Sequence, residues 1–294
     1  MQSNLRIALW AIVLLCALSS QSHVMAVPQQ SRPDITGFQV LLTAFGKSDS
    51  PLVLQESDIS VRIDKAAAQV KSVRSAKEEP LLFAVLVDTS KSDAAIADSV
   101  KEAAFQLFQE LASAQNQGYL VLFNHKVTVS REPISASRVK EVLESTIFDG
   151  GTAVYDAIAE TCKQKLSRSG NPAKPRRVIL LISDGEDNSS DITHRKAEEA
   201  ALEEGVSVFS LVTRSPYGES RGKDFLKEIG RRTGGFSSDK DLKKDVSDSV
   251  EAIAAQWMIT LAPTGQADQK LHSMQIRCRK KDIHIYAPTD VLLE

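Results

Sequence analysis

The chain has 294 residues, of which 42% are apolar and 25% are charged, and its formal net charge is −2. This is the composition of an ordinary globular protein of one or two domains. A body of this size buries roughly 70–75% of its extended-chain surface and needs no metal or disulfide to fold. Charges of both signs are interspersed and basic runs are short, which argues against nucleic acid as a partner.

Residues 1–26 have the pattern of a secretory signal peptide. A single positive charge at Arg6 precedes an apolar run from Ile7 to Leu18, and the segment ends on the small residue Ala26, a suitable cleavage site. The apolar run has 12 residues, whereas a membrane-spanning helix needs about 20. The sequence therefore predicts an exported protein, periplasmic or extracellular, with no transmembrane segment after cleavage.

Two cysteines remain after that cleavage, Cys162 and Cys278. Two thiols in an exported protein can pair, but nothing in the sequence places these two near each other. Whether they are free therefore stays open at this point. A disulfide-dense scaffold is excluded.

Short alternating strand patterns occupy both ends of the remaining chain. The N-terminal segment, residues 27–78, contains FQVLLTAF, LVLQESDISVRID and QVKSVRS. The C-terminal segment, residues 257–294, contains WMITLAP, KLHSMQIRC and DIHIYAP. We expect these segments to pair into a small β-domain, with another domain inserted between them.

Residues 79–256 follow a different pattern, in which continuous apolar strands alternate with amphipathic helices. The strands are LLFAVLV, GYLVLFN, RVILLIS and GVSVFSLV. In the first helix, residues 96–111, apolar side chains recur at spacings of three and four. This alternation predicts an α/β fold with a mostly parallel sheet and helices on both faces. The other predicted helices span residues 138–145, 152–166, 192–204, 223–232 and 241–257.

Three polar stretches are expected at the carboxyl ends of the strands, the edge at which open α/β sheets bind ligands. DTSKS, residues 88–92, follows the first apolar strand, FDGGTAVYDAI, residues 148–158, opens a helix, and VILLISDGEDN, residues 178–188, ends another strand. Each polar residue alone could be an ordinary helix N-cap. N-capping does not explain why two apolar strands both end on Asp, with a Gly-Gly-Thr between them in the chain.

Five side chains in these stretches offer oxygen atoms to one hard divalent cation: Asp88, Ser90, Ser92, Thr152 and Asp184. Mg²⁺ takes about six oxygen ligands at about 2.1 Å. Mg²⁺ is therefore the expected ion, with Mn²⁺ or Ca²⁺ as substitutes. Two carboxylates neutralise a 2+ charge and hydroxyls add none, so the ion keeps its attraction for an acidic group from outside.

The order and separation of these residues resemble the metal-ion-dependent adhesion site (MIDAS) of von Willebrand factor A (VWFA) domains. Asp88 and Thr152 are 64 residues apart, and Thr152 and Asp184 are 32 apart. The resemblance covers about residues 79–256 and implies a Rossmann-like fold and metal-dependent binding rather than catalysis. The β-rich flanks extend it to exported bacterial proteins with a VWFA-related domain. The implied partner is a protein presenting an acidic side chain, and the oligomeric state stays open.

One residue departs from the family pattern, because Lys91 stands between the two serines where a small residue is usual. Either its side chain points to solvent, or its ammonium group lies beside the ion and weakens metal binding or meets the acidic ligand. The loop TRSPYGESRGKD, residues 213–224, is expected to be a binding rim or a simple connector. Residues expected to surround the ion or to form the rim are Lys91, Gly151, Glu186, Asp187, Arg214 and Tyr217.

Two other functions compete with metal-dependent binding. DTS and SDGEDN also resemble Mg²⁺-dependent phosphatases of the haloacid dehalogenase type, in which a second Asp, two residues after the first, is the general acid. Ser90 stands at that position, and a serine hydroxyl cannot replace a carboxylic acid as a proton donor near pH 7, so we do not expect an enzyme. A structural module that binds partners without the metal is disfavoured because all five ligands are present.

Overall fold

The structure, a computed structural model, describes residues 37–47, 52–170, 176–214, 221–263 and 268–293. The predicted signal peptide, residues 1–26, lies outside these ranges. The strands are β1 (Phe38–Gly46), β2 (Ile59–Ile63), β3 (Ala66–Ala68), β4 (Val70–Ser75), β5 (Leu81–Asp88), β6 (Gln117–Phe123), β7 (Val127–Val129), β8 (Arg176–Ser183), β9 (Val206–Val212), β10 (Ser237–Ser238), β11 (Gln256–Leu261), β12 (Leu271–Cys278), β13 (Ile283–Tyr286) and β14 (Asp290–Leu292). The α-helices are α1 (Ala97–Leu111), α2 (Ala136–Glu144), α3 (Val154–Gln164), α4 (His194–Glu203), α5 (Arg221–Thr233) and α6 (Leu242–Ala254).

A six-stranded sheet in the order β10-β9-β8-β5-β6-β7 forms the centre of the fold. Its strand pairs are parallel except for β6 with β7, which are antiparallel. Every residue of β5 and β8 is buried, as expected for strands that are covered on both faces. The predicted α/β fold with a mostly parallel sheet is confirmed.

Helices cover both faces of this sheet and enclose two apolar cores. One core contains Phe108 and packs α1, α2 and α6 against the sheet, and the other contains Leu226 and packs α3, α4 and α5. All six predicted helices form, and their ends lie within three residues of the predicted ones. The largest difference is in α6, which ends at Ala254 because Gln256 already begins β11.

The N- and C-terminal strands pair with each other, as the sequence predicted. β1 pairs with β11 and β13, and β2 pairs with β12. The result is two four-stranded antiparallel sheets, β13-β1-β11-β4 and β14-β12-β2-β3, around a core that contains Leu42, Ile259 and Met274. The segment bounds 27–78, 79–256 and 257–294 remain a prediction.

Both cysteines of the described chain are free thiols. Cys162 is buried in α3, where burial raises the pKa of its thiol. Cys278 is half-buried at the end of β12. The question that the sequence left open is therefore answered without a disulfide.

Arg176, the first residue of β8, is buried and ties several chain segments together. Its Nη1 donates to the carbonyl oxygens of Lys77 (3.1 Å) and Glu79 (3.3 Å). Its Nη2 donates to the carbonyl oxygen of Ile253 (2.6 Å) and its Nε to Gln256 Oε1 (3.1 Å). Burial lowers the pKa of Arg176 to about 10, so it remains charged at neutral pH. The entry to β5, the end of α6 and the start of β11 therefore meet at one guanidinium group.

Replacing Arg176 by Met should lower the free energy of unfolding by about 3 kcal/mol or more, because buried oxygen atoms lose their charged donor. The matched control is Arg62→Met at an exposed position of β2, which should change stability by less than about 0.5 kcal/mol. Urea unfolding followed by circular dichroism measures both variants. Equal stability of the two would contradict the anchoring role of Arg176.

His272, in β12, is held between two carboxylates. Its Nε2 lies 2.8 Å from Asp268 Oδ1 and its Nδ1 lies 2.5 Å from Asp64 Oδ2. The hydrogen bonds to Asp268 and Asp64 raise the pKa of His272 above its ordinary value of 6.5. The same bonds lower the pKa values of both carboxyl groups. This cluster joins the turn between β2 and β3 to β12.

The stabilising contribution of His272 should be fully present below pH 6.5 and should disappear as the pH rises through its raised folded-state pKa. Asp64 and Asp268 have the opposite pH dependence. Their stabilising contribution is lost as the pH falls through their lowered pKa values. Urea midpoints of the wild type and His272→Gln, measured from about pH 5 to about pH 9, should therefore converge in alkaline buffer. High salt should reduce the difference because these groups are exposed. A difference that does not change with pH would contradict the pairing.

Candidate metal site

Three loops meet at the carboxyl edge of the central sheet, and hydrogen bonds hold them together. The loop after β5 bonds to the loop before α3, because Lys91 N donates to Gly150 O (3.2 Å). The loop after β8 bonds to the same segment, since Asn188 N donates to Thr152 O (3.0 Å) and Thr152 N donates to Asn188 Oδ1 (2.9 Å). The three stretches that the sequence singled out are therefore neighbours.

Asp88, the last residue of β5, is buried and hydrogen-bonded through both carboxylate oxygens. Its Oδ1 accepts from Ser90 N (2.9 Å), and its Oδ2 accepts from Ser183 Oγ (2.6 Å). Burial and, to a smaller extent, the charge on Asp184 raise the pKa of Asp88 to about 6 against these hydrogen bonds. The two carboxylates are thus close enough to repel each other. Ser183 is a contact that the sequence interpretation missed.

Ser90, Ser92 and Asp184 form a run of polar groups beside Asp88. Ser90 Oγ and Ser92 Oγ are 2.9 Å apart. Asp184 Oδ1 accepts a hydrogen bond from Glu186 N (3.0 Å), whereas its buried Oδ2 has no hydrogen-bond partner among the residues that the structure describes. Burial raises the pKa of Asp184, and the nearby Ser92 hydroxyl opposes part of that rise. Asp184 Oδ2 therefore lacks the partner that buried oxygens require.

Two glycines let the loop before α3 approach its neighbours. Gly150 has a φ of 85°, and a Cβ there would lie 2.5 Å from His125 Nδ1. A Cβ on Gly151 would lie 2.5 Å from Asn188 Oδ1. A larger residue at either position would force these contacts apart. Thr152 follows directly and is buried, held at the junction by its backbone bonds to Asn188.

Asp93 is a buried carboxylate of this site that the sequence interpretation missed. Its Oδ2 accepts a hydrogen bond from Thr213 Oγ1 (3.1 Å), and its Oδ1 has no partner within the described ranges. Burial, followed by the charges on Asp88 and Asp184, raises the pKa of Asp93 to about 8. At pH 7 this raised pKa favours the protonated form of Asp93 when no ion is bound. The signal was its place directly after DTSKS, but an acidic residue at the start of a helix is ordinarily explained by the helix dipole.

The residues of the site fit a hard divalent cation. Positive charge would stabilise two buried, mutually repelling carboxylates, and the unpartnered Oδ2 of Asp184 is available to bind it. Carboxylate and hydroxyl oxygens suit Mg²⁺ and Mn²⁺. In the described part of the chain, no group of three or more His, Cys, Asp or Glu side chains could hold a metal ion. The hydroxyl groups would therefore be needed to complete the ligand set.

Two predicted neighbours of the ion have partners of their own. Glu186 Oε1 accepts a hydrogen bond from Gly222 N (3.5 Å), at the start of α5. Asp187 Oδ2 accepts from Tyr155 N (3.2 Å), in the first turn of α3. Both carboxylates thus fasten the loop after β8 to a neighbouring helix.

The predicted rim residues lie on the solvent side where they are described. Lys91 begins a 3₁₀-helix over Lys91–Ile96 and is exposed. Arg214 is exposed two residues after the end of β9. Tyr217 lies outside the described residues, so the rim role of the loop over residues 213–224 stays a prediction.

The sequence profile of the von Willebrand factor type A domain matches residues 83–252. The chain belongs to this family. A solved von Willebrand factor type A protein from Catenulispora acidiphila is similar in fold, with a TM-score of 0.51 and 11% identity over 87% of this chain and 74% of that chain. An aerotolerance-related membrane protein from Bacteroides fragilis NCTC 9343 has a TM-score of 0.47 and 19% identity over 59% of this chain and 98% of its own. Manganese-loaded TRAP protein from Plasmodium vivax has a TM-score of 0.44 and 17% identity over 73% and 95%, respectively.

Family membership brings a general function with it. VWFA domains often bind a metal ion at a MIDAS and mediate protein interactions, and they are generally interaction modules rather than enzymes.

No curated protein matches the chain. Among the helices of the described residues, none combines the length and the apolar character needed to span a bilayer.

The Gly185→Ala substitution should disturb the site from its backbone. Gly185 has a φ of 79°, and a Cβ there would lie 2.4 Å from the carbonyl oxygen of Gly222. We expect a loss of unfolding free energy on the order of 1–3 kcal/mol and a displaced Asp184. The control is Gly170→Ala, where the nearest atom to a Cβ, Ser167 O, is 3.9 Å away. Thermal unfolding compares the two, and a Gly185→Ala protein as stable as its control would contradict the close packing.

Proposed function

We propose that the protein is an exported, metal-dependent binding module for another protein. One divalent cation would be bound by Asp88, Ser90, Ser92, Thr152 and Asp184, with Mg²⁺ as the expected ion and Mn²⁺ or Ca²⁺ as substitutes. The observation that supports this most directly is the buried Oδ2 atom of Asp184, an unpartnered oxygen near a second buried carboxylate. The convergence of the three loops on that point supports the same proposal.

The charge of the site favours a guest with a negative charge. Asp88 and Asp184 would just neutralise a divalent ion, and the hydroxyl groups of the ligand set are neutral. Mg²⁺ takes about six oxygen ligands, so five side chains leave a place for a carboxylate from outside. Lys91, exposed beside Ser90, adds a positive charge on the solvent side. We therefore propose that the guest is an acidic side chain of a protein partner.

Binding without turnover agrees with the general role of the family, whose members are mostly interaction modules. A phosphatase would need a carboxylic acid at residue 90, where the Ser90 hydroxyl instead bonds with Ser92. Export rests on the signal-peptide pattern of residues 1–26 and would place the protein in the periplasm or outside the cell.

Asp184→Asn should remove the stabilisation by metal, because the amide supplies no negative charge and a weaker ligand. With Mn²⁺ at a hundredfold excess over its dissociation constant, the wild type should gain about 2.7 kcal/mol in unfolding free energy. Thermal unfolding with Mn²⁺ or with chelator, together with isothermal titration, measures the effect. The matched control is Asp191→Asn, an exposed carboxylate after the same strand, which should keep the full stabilisation.

Equal heats of Mn²⁺ binding for the wild type and Asp184→Asn would rule out the proposed ligand set. Metal-dependent hydrolysis of a phosphate ester by the wild type, lost in Asp88→Asn, would favour the phosphatase alternative instead.

A further inference from the structure

A large apolar side chain is exposed in the segment that leads into Thr152 of the candidate metal site. Ile147 is 81% exposed, and within the described ranges Val53, at 58%, is the other large apolar side chain classed as exposed. Ile147 belongs to residues 145–151, part of the segment between α2 and α3. We call residues 145–151 the rim loop, which is a different segment from the loop over residues 213–224. Single exposed apolar residues are common on proteins. What distinguishes Ile147 is its place in the segment that leads to Gly150 and Thr152.

The rim loop is fastened to the loops around it. Asp149 N donates to Thr89 O (2.8 Å), and Asn124 Nδ2 donates to Asp149 O (3.0 Å). Together with the bond from Lys91 N to Gly150 O, these contacts fix the backbone on the C-terminal side of Ile147. Phe148, the residue after Ile147, is partly buried against the core of the sheet. Because this backbone is already held, binding a partner through Ile147 would require little additional ordering.

Basic groups surround the rim loop. Lys91 is exposed where its backbone bonds to Gly150, and His125 and Lys126 are exposed in the turn between β6 and β7. That turn touches the rim loop, since His125 Nδ1 would lie 2.5 Å from a Cβ on Gly150. The rim loop itself contributes one exposed carboxylate, that of Asp149. This surface therefore combines an apolar side chain with two lysines and one carboxylate, and its excess of positive charge suits an acidic partner that also has an apolar residue.

The chain sets an upper limit on the spacing of these features. Ile147 is three residues from Gly150, whose carbonyl oxygen bonds to Lys91 between the two site serines. Three residues span at most roughly 10–11 Å. An extended partner segment advances roughly 3.3–3.6 Å per residue, so it would cover that span within about three positions.

We propose that Ile147 is a specificity-determining residue, and that the partner segment has a large apolar residue one to three positions from its acidic residue. The acidic residue is the guest described under the proposed function, and the inference rests on that function. The apolar residue packs on Ile147, and the lysines favour acidic character in the rest of the segment. Anchoring by a rigid, desolvated apolar contact beside a charged one is a usual way for an interface to gain specificity.

A displayed peptide library tests this directly. Each peptide has a fixed Asp at its centre with random residues on both sides, and a second library has Ser in place of that Asp. Both are selected in Mn²⁺ on the wild type, Ile147→Ser and Val53→Ser, where Val53→Ser is the matched control far along the chain from the rim loop. Mn²⁺ affinity is measured separately for each protein by isothermal titration.

The wild type and Val53→Ser should enrich Leu, Ile, Val, Met or Phe one to three positions from the Asp. Ile147→Ser should lose this enrichment and bind the selected peptides about tenfold more weakly, with its Mn²⁺ affinity unchanged. No apolar enrichment in the wild type, or the same enrichment in Ile147→Ser, would overturn the inference while leaving metal binding intact. Equal enrichment from the Asp and Ser libraries would instead contradict the acidic guest of the proposed function. In that case the loss of apolar enrichment in Ile147→Ser would still show whether Ile147 determines specificity.

Discussion

Two carboxylates buried at the ends of adjacent parallel strands are the constraint on which the rest of the site depends. Val87 of β5 is paired with Ile182 of β8, so Asp88 and Ser183 come next on their strands and Ser183 Oγ reaches Asp88 Oδ2. Asp184 follows one residue later. Because strand side chains alternate between faces, a slip of one residue would turn these groups to the other side of the sheet. Apolar packing of β5 and β8 therefore decides where the polar chemistry lies.

Two buried ionisable residues, Arg176 and Asp184, lie at opposite ends of β8, and they differ in their hydrogen bonding. Arg176, at its start, donates to three carbonyl oxygens and one amide oxygen. Asp184, directly after its end, keeps a buried oxygen without a partner in the described chain. The edge with Arg176 is where the terminal β-strands join the α/β core, whereas the edge with Asp184 is formed by loops. Through its hydrogen bonds Arg176 connects the two parts of the fold. The unpartnered Oδ2 of Asp184 is available to a ligand.

Long periodic elements could be predicted from the sequence, because repeated spacing averages over many residues. The six helices and the four long strands of the central sheet are of this kind. β7, β10 and β14 have two or three residues each, too few for an alternation to show. The three loops could be placed together because the carboxyl ends of parallel strands share one edge. Ser183 and Asp93 escaped notice, since one looked like the end of an apolar strand and the other like an ordinary first-turn acid.

The charges that would bind an ion oppose folding when no ion is present. Burial raises the pKa values of Asp88 and Asp184 because the charged forms are costly in a dry site. Aliphatic and aromatic side chains form the apolar cores on the two faces of the sheet, and we expect the sheet to pack without the ion. An ion would therefore act mainly on the loops after β5 and β8 and on the rim loop bonded to them. Those are the parts of the chain that a partner would contact, so metal binding and partner binding would stabilise the same loops.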